Sequence, residues 1–195
     1  MTPKIIFRYS HIYDVHWKLV TENNPLRKRL QKEYPSSKTT LQYIRKIATV
    51  WGKKEKEYLQ TLSSLTRLKW NRKEIHCYVV GFCRPFSDPL TIRPYKNNDN
   101  FIDTLIHELV HNLLALENNL EKGFKYFQKK YKEETKLTIN HIPVDAILGL
   151  FHLKMFGEKR LEKVIQFDSK SPEYKRAWEI AKKEGFENII EKIKK

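Results

Sequence analysis

A chain of 195 residues has room for one compact domain with a helical appendage. Hydrophobic residues at 40 % together with 10 Phe, 10 Tyr and 4 Trp exclude a disordered chain, 6 Gly exclude collagen-like or Gly-rich linker character, and 2 Cys exclude a disulfide scaffold. Lys plus Arg is 38 against 23 Asp plus Glu, so the net charge is +15, a field that attracts nucleic acid or an acidic protein surface.

The N-terminus MTPKIIFRYSHIYD meets charge too early for a signal peptide, and the apolar runs are too short for a membrane span, so a cytoplasmic protein with no membrane partner is expected. Lys4 to Tyr9 predicts a first strand and Ile12 to Val20 a helix. Inside that segment His11, Asp14 and His16 have metal-ligand chemistry, but a surface or packing role is the expectation. Pro25, Pro35, Ser36 and Ser37 punctuate the next stretch. From Thr39 to Leu68 the apolar residues recur at helical spacing, with Gly52 as a place to break or bend.

The period then shortens. Ile75 to Cys83 is rich in β-branched and aromatic residues and predicts a strand, with Cys77 and Cys83 read as small buried hydrophobes. Leu90 to Tyr95 predicts a second strand, best placed at an edge because of Pro94. Phe101 to Leu116 is the clearest helix, with Asn100 as its N-cap. A charged amphipathic stretch, Glu121 to Glu134, comes next. Asn140-His141-Ile142-Pro143 leads into a second apolar helix from Val144 to Phe156, ended by Gly157. Ser171-Pro172-Glu173 opens a helix that closes near Gly185, and Phe186 to Ile193 forms the last.

The clearest helix contains His107-Glu108-Leu109-Val110-His111, an HExxH pattern. Four residues on a helix bring both imidazoles to one face, one turn apart, where both reach a single zinc ion. Glu108 stands one step round, placed to take a proton from an activated water as general base.

On these residues the chain resembles the zincin superfamily of metallopeptidases, over about residues 75–156. The resemblance implies that His107 and His111 are zinc ligands, that Glu108 is the catalytic base, and that an edge strand holds an extended peptide, for which Leu90 to Tyr95 is the candidate. The longer metzincin pattern is absent, since Leu114 and Glu117 stand where it needs Gly and His.

A hydrolytic zinc site needs a third protein ligand. Glu117, Glu121, His141, Asp145 and His152 are the downstream donors. In gluzincins a second helix gives a Glu ligand, and an Asp four residues later fixes a ligand histidine. The analogous spacing here is His141-x-x-x-Asp145. The resemblance therefore implies His141 as third ligand and Asp145 as the carboxylate behind an imidazole, or the two with roles exchanged. His152, seven residues on from Asp145 and nearly on its face, is a candidate to donate a hydrogen bond to the oxyanion; equally, it could be a satisfied core histidine. Tyr95, Arg93 and Tyr131 are weaker candidates for that task.

The expected protein is a single α+β zincin-like domain over 1–195: a core at about 75–156, an N-terminal helical segment at 10–70 and a C-terminal extension at 158–195. Its expected function is hydrolysis of peptide bonds in a peptide or protein substrate, with one Zn2+ ion. The rival expectation is a basic nucleic-acid-associated protein, with SprT-like protease activity or a structural or vestigial metal site.

Overall fold

The computed structural model describes residues 2–22, 34–115 and 120–193. The architecture is α+β, mostly helical, with one small mixed sheet. In chain order the described elements are β1 (Lys4–Arg8), α1 (His11–Glu22), α2 (Ser37–Gly52), α3 (Glu55–Thr66), β2 (Glu74–Val79), β3 (Phe86–Ser87), β4 (Leu90–Ile92), α4 (Asn98–Ala115), α5 (Leu120–Lys130), α6 (Lys136–Phe156), α7 (Glu158–Asp168), α8 (Pro172–Glu184) and α9 (Phe186–Ile193). No helix among the described residues is long and apolar enough to cross a membrane. Contacts group the chain into two compact units: Met1–Glu57 with Arg72–Leu109, and Tyr58–Asn71 with Val110–Lys195.

The first unit is built on the sheet, in the order β1-β2-β4-β3. Strict alternation makes β2: Ile75, Cys77 and Val79 are buried, while Glu74 and His76 face water. β1 pairs with β2 in parallel, Ile5 opposite Ile75 and Phe7 opposite Cys77. β4 runs parallel to β2, and β3 folds back antiparallel on β4. Leu90 to Ile92 therefore lies inside the sheet, and the expected edge strand over Leu90 to Tyr95 is not there. The tight turn between Ser87 and Leu90 supplies a short partner strand that occupies its outer side. Cys77 and Cys83 are buried free thiols.

Asp14 ties the N-terminal helix to this sheet. It is buried, and its Oδ1 accepts from the Gly81 backbone N–H at 2.7 Å and from the Tyr34 hydroxyl. Its Oδ2 accepts from the Tyr9 hydroxyl at 2.9 Å. His11 and His16, on the same helix, are exposed. The Tyr34 ring lies against the Gly81 backbone so closely that a Cβ there would stand 2.5 Å from Cε1, which explains a glycine at the end of the sheet.

The second unit centres on α6. Nearly every residue from Thr138 to His152 is buried, so this helix is apolar all round rather than amphipathic. It starts at Lys136, eight residues before the expected Val144. Thr135 caps it, its hydroxyl accepting from the Thr138 N–H at 3.2 Å, and Pro143 sits inside it. A proline within a helix reads from sequence as a boundary, but here burial on all sides outweighs the single backbone bond it forfeits. α8 and α9 pack on α6, and Gly149 makes room for the Phe186 ring, whose atoms lie 2.5–2.7 Å from where a Cβ would be.

Other boundaries also move. The predicted helix over Thr39 to Leu68 is two helices, parted just after Gly52. α4 begins at Asn98 rather than Phe101, and Asn97 rather than Asn100 caps it, its Oδ1 accepting from the Asp99 N–H at 2.8 Å. Leu116 lies outside the described residues. α7 has no counterpart among the expected elements; Gly157, at φ +80°, separates it from α6.

Replacing Asp14 by Ala strands three donors and is expected to cost about 2–4 kcal/mol in denaturant unfolding, whereas His11→Ala and His16→Ala should each change stability by less than about 0.5 kcal/mol.

Candidate metal centre

α4 is apolar along most of its length: Leu105, Ile106, Leu109, Val110 and Leu113 are fully buried. That burial fixes the helix rotation and hence the direction of its polar residues. His107 and His111 succeed one another by a single turn and are partly exposed. His141 is buried on α6. One ring nitrogen from each of His107, His111 and His141 lies within 4.8 Å of the other two, close enough that the three could hold a metal ion. A tetrahedral ion with bonds of 2.0–2.1 Å needs nitrogen pairs about 3.4 Å apart.

The orientation of His141 is set by its backbone. Its Nδ1 lies 2.8 Å from the Leu137 carbonyl oxygen, and a carbonyl can only accept, so Nδ1 carries the proton. Nε2 is then left with a lone pair. The His111 and His141 rings meet edge to face, centroids 5.0 Å apart. Burial, and secondarily the field of His141, push His111 down to about 4. His111 is therefore neutral at physiological pH, the form that binds metal.

Glu108 is buried, with 7 % of its surface exposed. Burial pushes its carboxyl up to about 8, against the opposing pull of the Arg84 guanidinium. A carboxyl that titrates near neutrality is suited to taking up and returning a proton.

The other expected site residues fall elsewhere. Asp145 and His152 do not join the three-imidazole cluster. Asp145 is completely buried and neither of its carboxyl oxygens has a hydrogen-bond partner. It therefore holds no ligand imidazole; for His141 the Leu137 carbonyl fills that role. His152 is fully buried, donates from Nδ1 to the Leu148 carbonyl at 2.9 Å, and packs against Phe151 and Phe156, as a core histidine does. Tyr131 interacts with Lys130 and Glu184. Tyr95 donates its backbone N–H to the Tyr43 hydroxyl at 3.2 Å. Arg93 lies over the Phe82 and Tyr95 rings. Glu117 and the Glu121 side chain are outside the described residues.

Sequence reasoning missed Tyr174. Its ring packs on His141 with centroids 4.3 Å apart and planes at 62°. Tyr174 falls in the first turn of the helix opened by Ser171-Pro172-Glu173, but no spacing relative to HELVH marks it. Against known proteins, no family model, no curated protein and no solved structure matches this chain.

Burial raises the Asp145 carboxyl well above its ordinary range, with the nearby Asp168 adding to the effect. The folded state then holds a proton that the unfolded chain releases above about pH 4, so stability falls as pH rises from there. Asp145→Asn is expected to be more stable than the parent at pH 7 by at least about 1 kcal/mol, with the difference closing towards pH 4 in urea melts. A variant less stable at pH 7 would show that the carboxyl has a partner.

Proposed function

We propose that this chain is a zinc-dependent hydrolase that cleaves peptide bonds, with His107, His111 and His141 as the metal ligands and Glu108 as the general base. The observation that carries the reading is the arrival of His141, 30 residues beyond His111, beside the two HELVH imidazoles. His152 makes the same Nδ1–H bond to a carbonyl among phenylalanines, whereas His141 stands beside the two HELVH imidazoles. A three-histidine set suits zinc and leaves one coordination position for water or substrate.

When bound, zinc supplies Lewis acidity, which polarises a carbonyl and makes water a nucleophile near neutral pH. The three imidazoles hold the ion while adding no charge of their own. Glu108 takes the proton of the attacking water on its carboxylate and returns it to the departing amine. Burial of Glu108 favours the protonated form that this transfer creates. The likeness of the HELVH helix to zincins is what supports a peptide as substrate.

Protein purified without chelator is expected to carry about one zinc per chain by elemental analysis. His141→Ala should weaken zinc binding more than about a hundredfold. Glu108→Gln should retain zinc and lose about 10²- to 10⁴-fold in peptide turnover. Zinc-free protein, or a Glu108→Gln variant with full activity, would overturn the assignment.

The net charge of +15 favours a second reading of the partner: a hydrolase or structural metal protein that works on nucleic-acid-bound material. On that reading DNA binds at low salt and its affinity falls steeply as salt rises, in a fluorescence anisotropy titration. No binding at low salt removes it.

A further inference from the structure

Among the described residues, Arg93 is a half-buried cation without a counter-charge. Arg93 comes directly after β4, where the Ile92 carbonyl accepts from the Val80 N–H at 3.1 Å. Its guanidinium lies 5.0 Å from the centre of the Phe82 ring and 5.2 Å from that of Tyr95. Two aromatic contacts of this kind favour the cation and fix its plane. Its Nε is shut off from solvent and has no hydrogen-bond partner. Among the described residues no carboxylate pairs with it. A donor desolvated in this way is disfavoured unless something accepts from it.

Arg93 and the proposed base have one neighbour in common. Cys83 is one residue beyond Phe82, and its thiol feels both Arg93 and the Glu108 carboxyl. Arg84, exposed, acts on Glu108 in turn. Arg84 thus acts on Glu108 directly, and Arg93 shares the Cys83 thiol with it as a common neighbour. A planar arginine fork with free N–H groups matches a carboxylate in two parallel hydrogen bonds.

We propose that Arg93 is the seat for a carboxylate of the substrate, so that the enzyme prefers peptides bearing an acidic side chain or a free C-terminus close to the bond that is cut. The preference for a peptide rests on the hydrolase reading; the seat itself rests only on the Arg93 geometry. Arg93 acts on specificity, and the proton chemistry at Glu108 does not depend on it. The aromatic walls of Phe82 and Tyr95 hold the fork in place before the ligand arrives, which lowers the ordering cost of binding.

Two measurements test this. In the first, zinc-loaded protein and its Arg93→Met and Arg93→Lys variants are compared on paired peptides, each with Glu or Gln near the scissile bond and with a free or amidated C-terminus. The parent is expected to favour the carboxylate-bearing peptide by about 10- to 100-fold in kcat/KM. Arg93→Met should reduce that preference to less than about twofold, with zinc content unchanged. Arg93→Lys, which keeps the charge and loses the fork, should fall between. The Glu/Gln pairs and the acid/amide pairs separate a side chain from a C-terminus as the source. A parent with no preference, or an Arg93→Met variant that keeps it, overturns the proposal.

The second measurement needs no turnover. Metal-free protein labelled with ¹⁵N-arginine is titrated with glutarate, and the Arg93 Nε–H cross-peak, assigned by its loss in Arg93→Lys, is followed by NMR. A saturable shift supports the seat even if every peptide resists cleavage, a result that would remove the hydrolase reading alone. An Nε–H peak that stays still overturns the seat even if peptides are cut.

Discussion

Three imidazoles within 4.8 Å of one another cannot readily all be cationic in a partly buried setting. Neutral rings are what this arrangement permits, and His111, pushed down to about 4, shows the effect. Neutrality leaves lone pairs pointing into a small volume. The proposed zinc ion would answer all three lone pairs at once. The neighbouring carboxyl of Glu108, disfavoured as an anion by its own burial, would gain from the same positive charge.

Two helices deliver these groups by different means. α4 has a broad apolar surface, so its rotation is decided by burial and the two histidines are aligned by a spacing of four. α6 is buried all round, and polar groups inside it must find partners within their own turn. His141 and His152 solve this identically, each donating from Nδ1 to the carbonyl one turn back. The difference lies in the surroundings of each ring: His141 faces His111, and His152 lies among phenylalanines. Asp145 has no such local solution and stays as a buried acid.

The sequence made the local part of this legible. HELVH sits on a helix because Leu105, Leu109 and Leu113 recur at helical spacing, and β2 is visible because Ile75, Cys77 and Val79 alternate. The concealed part was non-local. Leu90 to Ile92 reads as an edge until a two-residue hairpin covers its side. Pro143 reads as a helix start because its cost is visible and the burial that outweighs it is not. The spacing of His141 and Asp145 invited one role for the pair, while backbone hydrogen bonding distinguishes them. Tyr174 and the unpaired Nε of Arg93 are consequences of folding that no spacing announces.

Gly149 gives the last helix an importance that its length hides. Phe186 occupies the notch this glycine leaves in α6, and Ile189, Ile190 and Ile193 are buried behind it. A glycine in mid-helix weakens the helix by about 1 kcal/mol on its own, so the notch is stable only while it is filled. A shortened expression clone that stops at Gly185 would therefore open an oily slot along the most buried helix. Such material would invite precipitation or mispairing between molecules, and the final eight helical residues belong in any version prepared for crystallography.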